Sequence, residues 1–159
     1  MTQVGRLTIH AEGDQLVLSG SLDETANVIE LLGQAKGGRL ALDLAGVTFI
    51  NSLGVRDWIR MLAMAQTKAL AVELRRVSEP IVHQLNMIIA TRGNATVTSF
   101  FAPYACDKCG REDSLLVDVT ANAAGLAKLE APPQTCPECG AQMAFNDFPE
   151  RYFTFLQQP

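Results

Sequence analysis

Cys106-x-x-Cys109 and Cys136-x-x-Cys139 limit what this 159-residue chain can fold into more than any other feature. Two cysteines three positions apart can aim both sulfurs at one point only if the backbone turns tightly between them. Two such pairs separated by a long segment supply the four soft ligands of a tetrahedral metal site. Gly110 and Gly140 directly follow the pairs, where the turn around a metal asks for positive φ. Four protein ligands leave no coordination position for water or substrate, so the metal read here is structural, with Zn2+ first and iron as its rival. Disulfides are disfavoured in a cytoplasmic chain, and redox Cys-x-x-Cys pairs do not come doubled.

The rest of the composition places these cysteines in a distinct part of the chain. Residues 1–100 hold nine Lys and Arg against nine Asp and Glu, whereas the remainder holds four against eight and carries the whole net charge of −4. Eight of the ten aromatic residues lie from Phe100 onward. Both shifts predict a boundary near residues 100–105, with one domain over 1–102 and a second over 103–159. An acidic second part argues against nucleic acid as a partner, because such binding neutralises phosphates with Lys and Arg. No apolar run approaches the roughly 18 residues of a membrane helix. The N-terminal residues lack the basic start and apolar block of a secretory signal, which leads to the expectation of a cytoplasmic protein.

In the first part, Leu40, Leu42 and Leu44 alternate with Ala41 and Asp43, a strand with leucines on one face. Gly46 is read as its break. Val47, Phe49 and Ile50 lead into Asn51-Ser52, where a helical pattern begins through Val55, Ile59 and Leu62, widened by Trp58 and Met61. Asn51 and Ser52 are both N-cap candidates. Before this stretch, residues 6–12 and 15–20 read as a hairpin turning at Gly13-Asp14. Asp23 is the expected cap of a helix through Val28, Ile29, Leu31 and Leu32 that ends at Gly33. After it come a strand at 70–75, a helix opening at Ser78-Glu79-Pro80, and a final strand over 96–104. Strands alternating with helices after a hairpin predict an α/β fold, a mixed β-sheet packed by helices.

The run Leu42-Asp43-Leu44, Val47, Phe49-Ile50, Asn51-Ser52-Leu53-Gly54-Val55 resembles the signature of STAS domains, the fold of bacterial anti-sigma factor antagonists. Gly20-Ser21-Leu22-Asp23 is similar to the segment before that family's first helix. The resemblance covers about residues 4–100. It implies a non-enzymatic regulatory module in signal transduction that binds a protein partner, a histidine-kinase-like ATPase of the anti-sigma factor type. It also implies that Ser52 is the position phosphorylated in a partner-switching circuit, with Asn51, Ser52, Leu53, Arg56 and Arg60 on the partner face. Asn51 stands where the family has Asp, and Leu53 where it has Ser or Thr, so a capping role for Ser52 is the competing reading. A scaffold subunit of a larger assembly is a further alternative.

The cysteine-bearing part resembles a zinc ribbon, with Cys136-Pro137-Glu138-Cys139-Gly140 as the more typical knuckle. Rubredoxins use the same two knuckles, which keeps an iron-containing electron carrier open; Tyr104 and Phe145 are the aromatics that would shield an iron. Between the knuckles, residues 115–117 read as a strand and 121–133 as a loop. Pro149 can open a last short helix with Phe148, Tyr152 and Phe155 on one face. That face either packs back onto the chain or forms a docking or homodimer surface; packing is the preferred reading, because a small ribbon lacks a core of its own. His10 and His83 have no companions at ligand spacing. Phosphate loops, paired metal-binding histidines and nucleophile elbows are absent from the sequence, so no catalysis is expected.

Overall fold

The computed structural model describes residues 2–157, whose strands form two sheets. β1 (Thr2–Val4), β2 (Leu7–Glu12) and β3 (Gln15–Leu22) make an antiparallel meander turning at Gly13, which has φ 61°. β4 (Arg39–Ile50) lies parallel to β3. α1 (Ser52–Thr67) crosses to β5 (Ala71–Arg75), and α2 (Glu79–Met87) to the short β6 (Thr96–Val97), all parallel to β4. The sheet order is β1-β2-β3-β4-β5-β6, a mixed sheet with the parallel strands on one side. Leu16, Leu18, Leu40, Leu42, Leu44 and Leu74 are buried, as the alternating pattern requires. α1 contributes Val55, Trp58, Met61, Leu62 and Ala65 to the same core. The Trp58 indole N–H donates to the Thr91 carbonyl (2.8 Å), so its one polar atom is satisfied in the interior. Among the described residues, no helix is long and apolar enough to cross a membrane.

In the first part of the chain several details differ from the sequence reading. β4 does not stop at Gly46 but continues to Ile50, and its pairing with β3 shifts register between Val17 and Ser19 and between Gly20 and Ser21. A Cβ at Gly46 would collide with Ser19, so this glycine permits a close approach of two strands. Residues 28–34 form a 3₁₀ helix, entered through Asn27 at φ 41°. Asp23 does not cap it. The buried Asp23 carboxylate instead accepts from the Thr25 hydroxyl and amide and from Arg6, which holds its pKa down to about 2. The expected strand over 96–104 breaks at Thr98. Val97 pairs with Leu74, and β7 (Ser99–Ala105) belongs to the second sheet.

The second sheet has the order β8-β7-β10-β9, with β8 (Glu112–Asp118), β9 (Gln134–Thr135) and β10 (Gln142–Phe145), all antiparallel. A short α3 (Ala123–Ala127) interrupts the segment read as loop. The Gln134 side chain reaches from β9 to the Leu116 carbonyl on β8 (2.9 Å), so the outer strands of this sheet come together as it curls. The chain ends with α4 (Pro149–Tyr152) and a 3₁₀ turn over Thr154–Leu156. Tyr152 and Phe155 are buried, as the packing reading required. Phe148 is 63% exposed, and its place inside is taken by Phe153. Phe100 meets Phe155 edge-to-face (5.2 Å), and Phe145 stacks on Phe153 (5.0 Å). Asn86 of α2 grips this segment twice, donating to the Tyr152 carbonyl and accepting from the Phe155 amide (both 2.8 Å). One hydrophobic cluster therefore runs through both sheets.

Candidate metal centre and helix-capping turn

The two knuckles sit in like positions, one joining β7 to β8 and the other joining β9 to β10. Each is closed by the same pair of backbone bonds. Cys106 N donates to Arg111 O (2.8 Å) and Gly110 N to Cys106 O (2.9 Å); Cys136 N donates to Ala141 O (2.7 Å) and Gly140 N to Cys136 O (3.0 Å). Gly110 and Gly140 have φ of 77° and 76°, the left-handed conformation the spacing called for. Pairing of β7 with β10, Ala105 to Ala144 and Tyr104 to Phe145, brings the knuckles face to face.

All four sulfurs lie within 4.8 Å of one another, with Cys106 Sγ 3.5 Å from Cys139 Sγ and Cys109 Sγ 3.6 Å from Cys136 Sγ. Metal–sulfur bonds of about 2.3 Å in a tetrahedron place sulfurs roughly 3.8 Å apart, whereas a disulfide requires about 2.0 Å. The four cysteines are free thiols at the spacing a tetrahedral ion needs, and can hold one. Cys106 and Cys136 are buried; Cys109 and Cys139 are exposed.

The backbone prepares these sulfurs for negative charge. The Cys109 and Lys108 amides donate to Cys106 Sγ, and those of Cys139 and Glu138 to Cys136 Sγ. The Cys106 thiol is held down to about 7 against the cost of burial, and Cys136 is also lowered. At Cys109 the Arg111 amide pulls the same way. Desolvation and hydrogen bonds to the other three sulfurs outweigh it and push this thiol up to about 12. Without a cation, four thiolates in one small volume repel one another. A divalent ion removes that conflict.

The Asn51-Ser52 turn lies at the carboxyl end of β4. Asn51 is the N-cap, its Oδ1 accepting from Gly54 N (2.9 Å), and Ser52 is the first helical residue. The competing role of Ser52 as a cap is therefore corrected: its hydroxyl is exposed and has no hydrogen-bond partner among the described residues. Gly54 is required by packing, since a Cβ there would collide with the Leu22 carbonyl oxygen of β3. Leu53, directly after Ser52, is 40% exposed, and Phe49, three positions before it, is 50% exposed, two large apolar side chains open to solvent. Arg56 and Arg60 are exposed, and both are drawn to Asp57, at 3.0 and 3.8 Å. Glu24 completes the turn by accepting from Asn51 Nδ2 (3.0 Å). Nothing in the sequence pointed to this pairing across 27 positions. An Asp at position 51 would lack the N–H donor for that bond.

His10 stands 3.4 Å from Glu12, and His83 packs edge-on against Tyr152 (5.8 Å); neither approaches the cysteine cluster. The chain matches no protein-family model and no curated protein sequence.

Proposed function

We propose that this chain is a non-enzymatic protein-binding module of STAS type whose partner face is the Ser52 turn, rigidified by a zinc ribbon built on Cys106, Cys109, Cys136 and Cys139. The observation that carries the reading is the turn itself. A parallel strand ends in an Asn51-capped helix whose first residue is an exposed serine with no hydrogen-bond partner among the described residues, followed by exposed Leu53 and preceded three positions earlier by exposed Phe49. Such a serine is accessible to a kinase. A phosphate there would meet the positive end of α1, yet would add roughly two negative charges to the contact surface. Local stabilisation and partner repulsion can thus occur together, which is what a partner switch needs. Glu24 beside the turn adds to the repulsion. Arg56, held to Asp57 through its Nε, is the nearest arginine in sequence that could offset it.

The partner favoured by the resemblance is a histidine-kinase-like ATPase of the anti-sigma factor type. Zinc is the proposed occupant of the cysteine site, as the commoner ion at four-thiolate knuckles, and its role is structural, because four thiolates complete a tetrahedron and leave nothing for substrate. Elemental analysis of the purified protein tests the metal; a red, iron-containing protein with a reversible one-electron couple turns the reading to an electron carrier. For the switch, binding to the cognate ATPase is measured for wild type, Ser52→Ala and Ser52→Asp. Ser52→Asp is expected to weaken binding at least tenfold while Ser52→Ala binds like wild type. Equal binding by all three, with no kinase labelling of Ser52, makes the domain a constitutive scaffold.

A further inference from the structure

The two knuckles belong to different hairpins, and among the described residues the backbone links between those hairpins are the pairs Ala105–Ala144 and Tyr104–Phe145 and the bond from Asn146 N to Pro103 O (2.9 Å), all on the side of the strands away from the knuckle tips. On the outer side, where Cys109 and Cys139 are exposed, a bound ion has its shortest way out. There the knuckles share a single side-chain hydrogen bond other than the sulfur contacts, among the described residues. Arg111 Nη1 donates to Glu138 Oε2 at 3.1 Å. Arg111 is fixed to the first knuckle from both sides: its carbonyl accepts from Cys106 N (2.8 Å), and its amide donates to Cys109 Sγ. Nε and Nη2 are anchored on Asp113 at 3.2 and 2.9 Å, which leaves Nη1 to cross the gap. Glu138 lies between the two cysteines of the second knuckle, and its own amide donates to Cys136 Sγ. The ion pair therefore joins two residues whose backbones are already bonded to ligand sulfurs.

We propose that Arg111 and Glu138 form a latch over the metal centre that sets how fast the ion is released, a role that rests on the metal reading above. Four thiolates around a divalent ion leave the centre doubly negative. The Arg111 guanidinium, one residue past the first knuckle's Gly110, ties the two hairpins together at the edge where they must part. Opening this edge frees Cys109 and Cys139 first and leaves the ion on the two buried sulfurs, where a competing ligand can take it. The pair is exposed, at 40% for Arg111 and 66% for Glu138, so its effect is modest and sensitive to salt. A latch of this kind acts on the rate of exchange more than on the fold.

The test uses the full chain loaded with one equivalent of zinc. Excess 4-(2-pyridylazo)resorcinol is added, and zinc transfer is followed by absorbance for wild type, Arg111→Gln, Glu138→Gln and the double variant, at low and high salt. Zinc stoichiometry near one for each variant confirms that all four sulfurs still bind. Each single substitution is expected to speed release about two- to five-fold at low salt, with the double variant no faster than either single and the differences shrinking at high salt. Release from Arg111→Gln at the wild-type rate, or single effects that simply multiply in the double variant, overturns the latch and leaves the metal site standing. A wild-type protein that takes up no metal overturns the metal reading itself, and the latch with it.

Discussion

The six-stranded half is held by leucine and valine on strands and on α1, so its stability is spread over many side chains. The four-stranded half buries fewer apolar side chains: Phe100, Tyr104, Val117, Leu126 and Met143, closed over by Tyr152, Phe153 and Phe155 of the C-terminal segment. Its order is concentrated in two knuckles and in one C-terminal segment that reaches across to α2. A region that cannot collect enough apolar surface must be tied by a few strong links. The consequence is an asymmetry. Damage to one residue of the first half is shared among neighbours, whereas loss of a metal held by the four cysteines would remove much of what orders the second.

The largest effect should come from removing the proposed metal. Structural zinc contributes on the order of 10–16 kcal/mol of apparent binding free energy in small peptides at neutral pH. Chelation is expected to collapse amide dispersion for residues around both knuckles while β1 to β6 stay folded, as seen in a two-dimensional amide spectrum. Because Asn86 and Phe100 contact the C-terminal segment, amides of α2 should shift as well. Unchanged α2 amides would show the two halves to be more separate than their shared core implies.

Phe155→Ala sharpens the same comparison at the junction. Phe155 is fully buried against Phe100, and its loss should cost about 3–5 kcal/mol in a urea titration. If the metal alone orders the second half, the zinc stoichiometry stays at one while global stability falls. If the clasp is also needed, zinc uptake weakens too.

A smaller effect separates two neighbours in the first half. Asn51→Ala removes the cap on Gly54 N and the bond to Glu24, at an expected cost of about 0.5–2 kcal/mol. Ser52→Ala removes a hydroxyl with no partner and should leave the urea midpoint within about 0.5 kcal/mol of wild type. Equal losses at both positions would return Ser52 to a capping role and weaken the case for a free, modifiable serine.

The sequence by itself determined what depends on neighbours along the chain. Alternating leucines place β3, β4 and β5, the 3.6-residue stripe places α1, and Pro80 marks the first turn of α2. The four-sulfur cluster was legible for the same reason: knuckle spacing is local chemistry, and two knuckles leave few other arrangements. What required the tertiary structure were contacts between distant positions. Gly46 reads as a strand stop until Ser19 is seen against it. Asp23 reads as a cap until Arg6, 17 positions away, and Thr25 claim its oxygens. Asn51 and Ser52 are equal cap candidates in sequence, and only the backbone direction at the end of β4 gives the role to Asn51 and leaves Ser52 exposed. Phe148 and Phe153 are aromatic neighbours of one short helix. Which of them goes inside was decided by the position of Phe100 and Phe145, residues in strands of the second sheet. Periodicity reports which residues share a face, but the surface that face meets is set by packing, which no local pattern encodes.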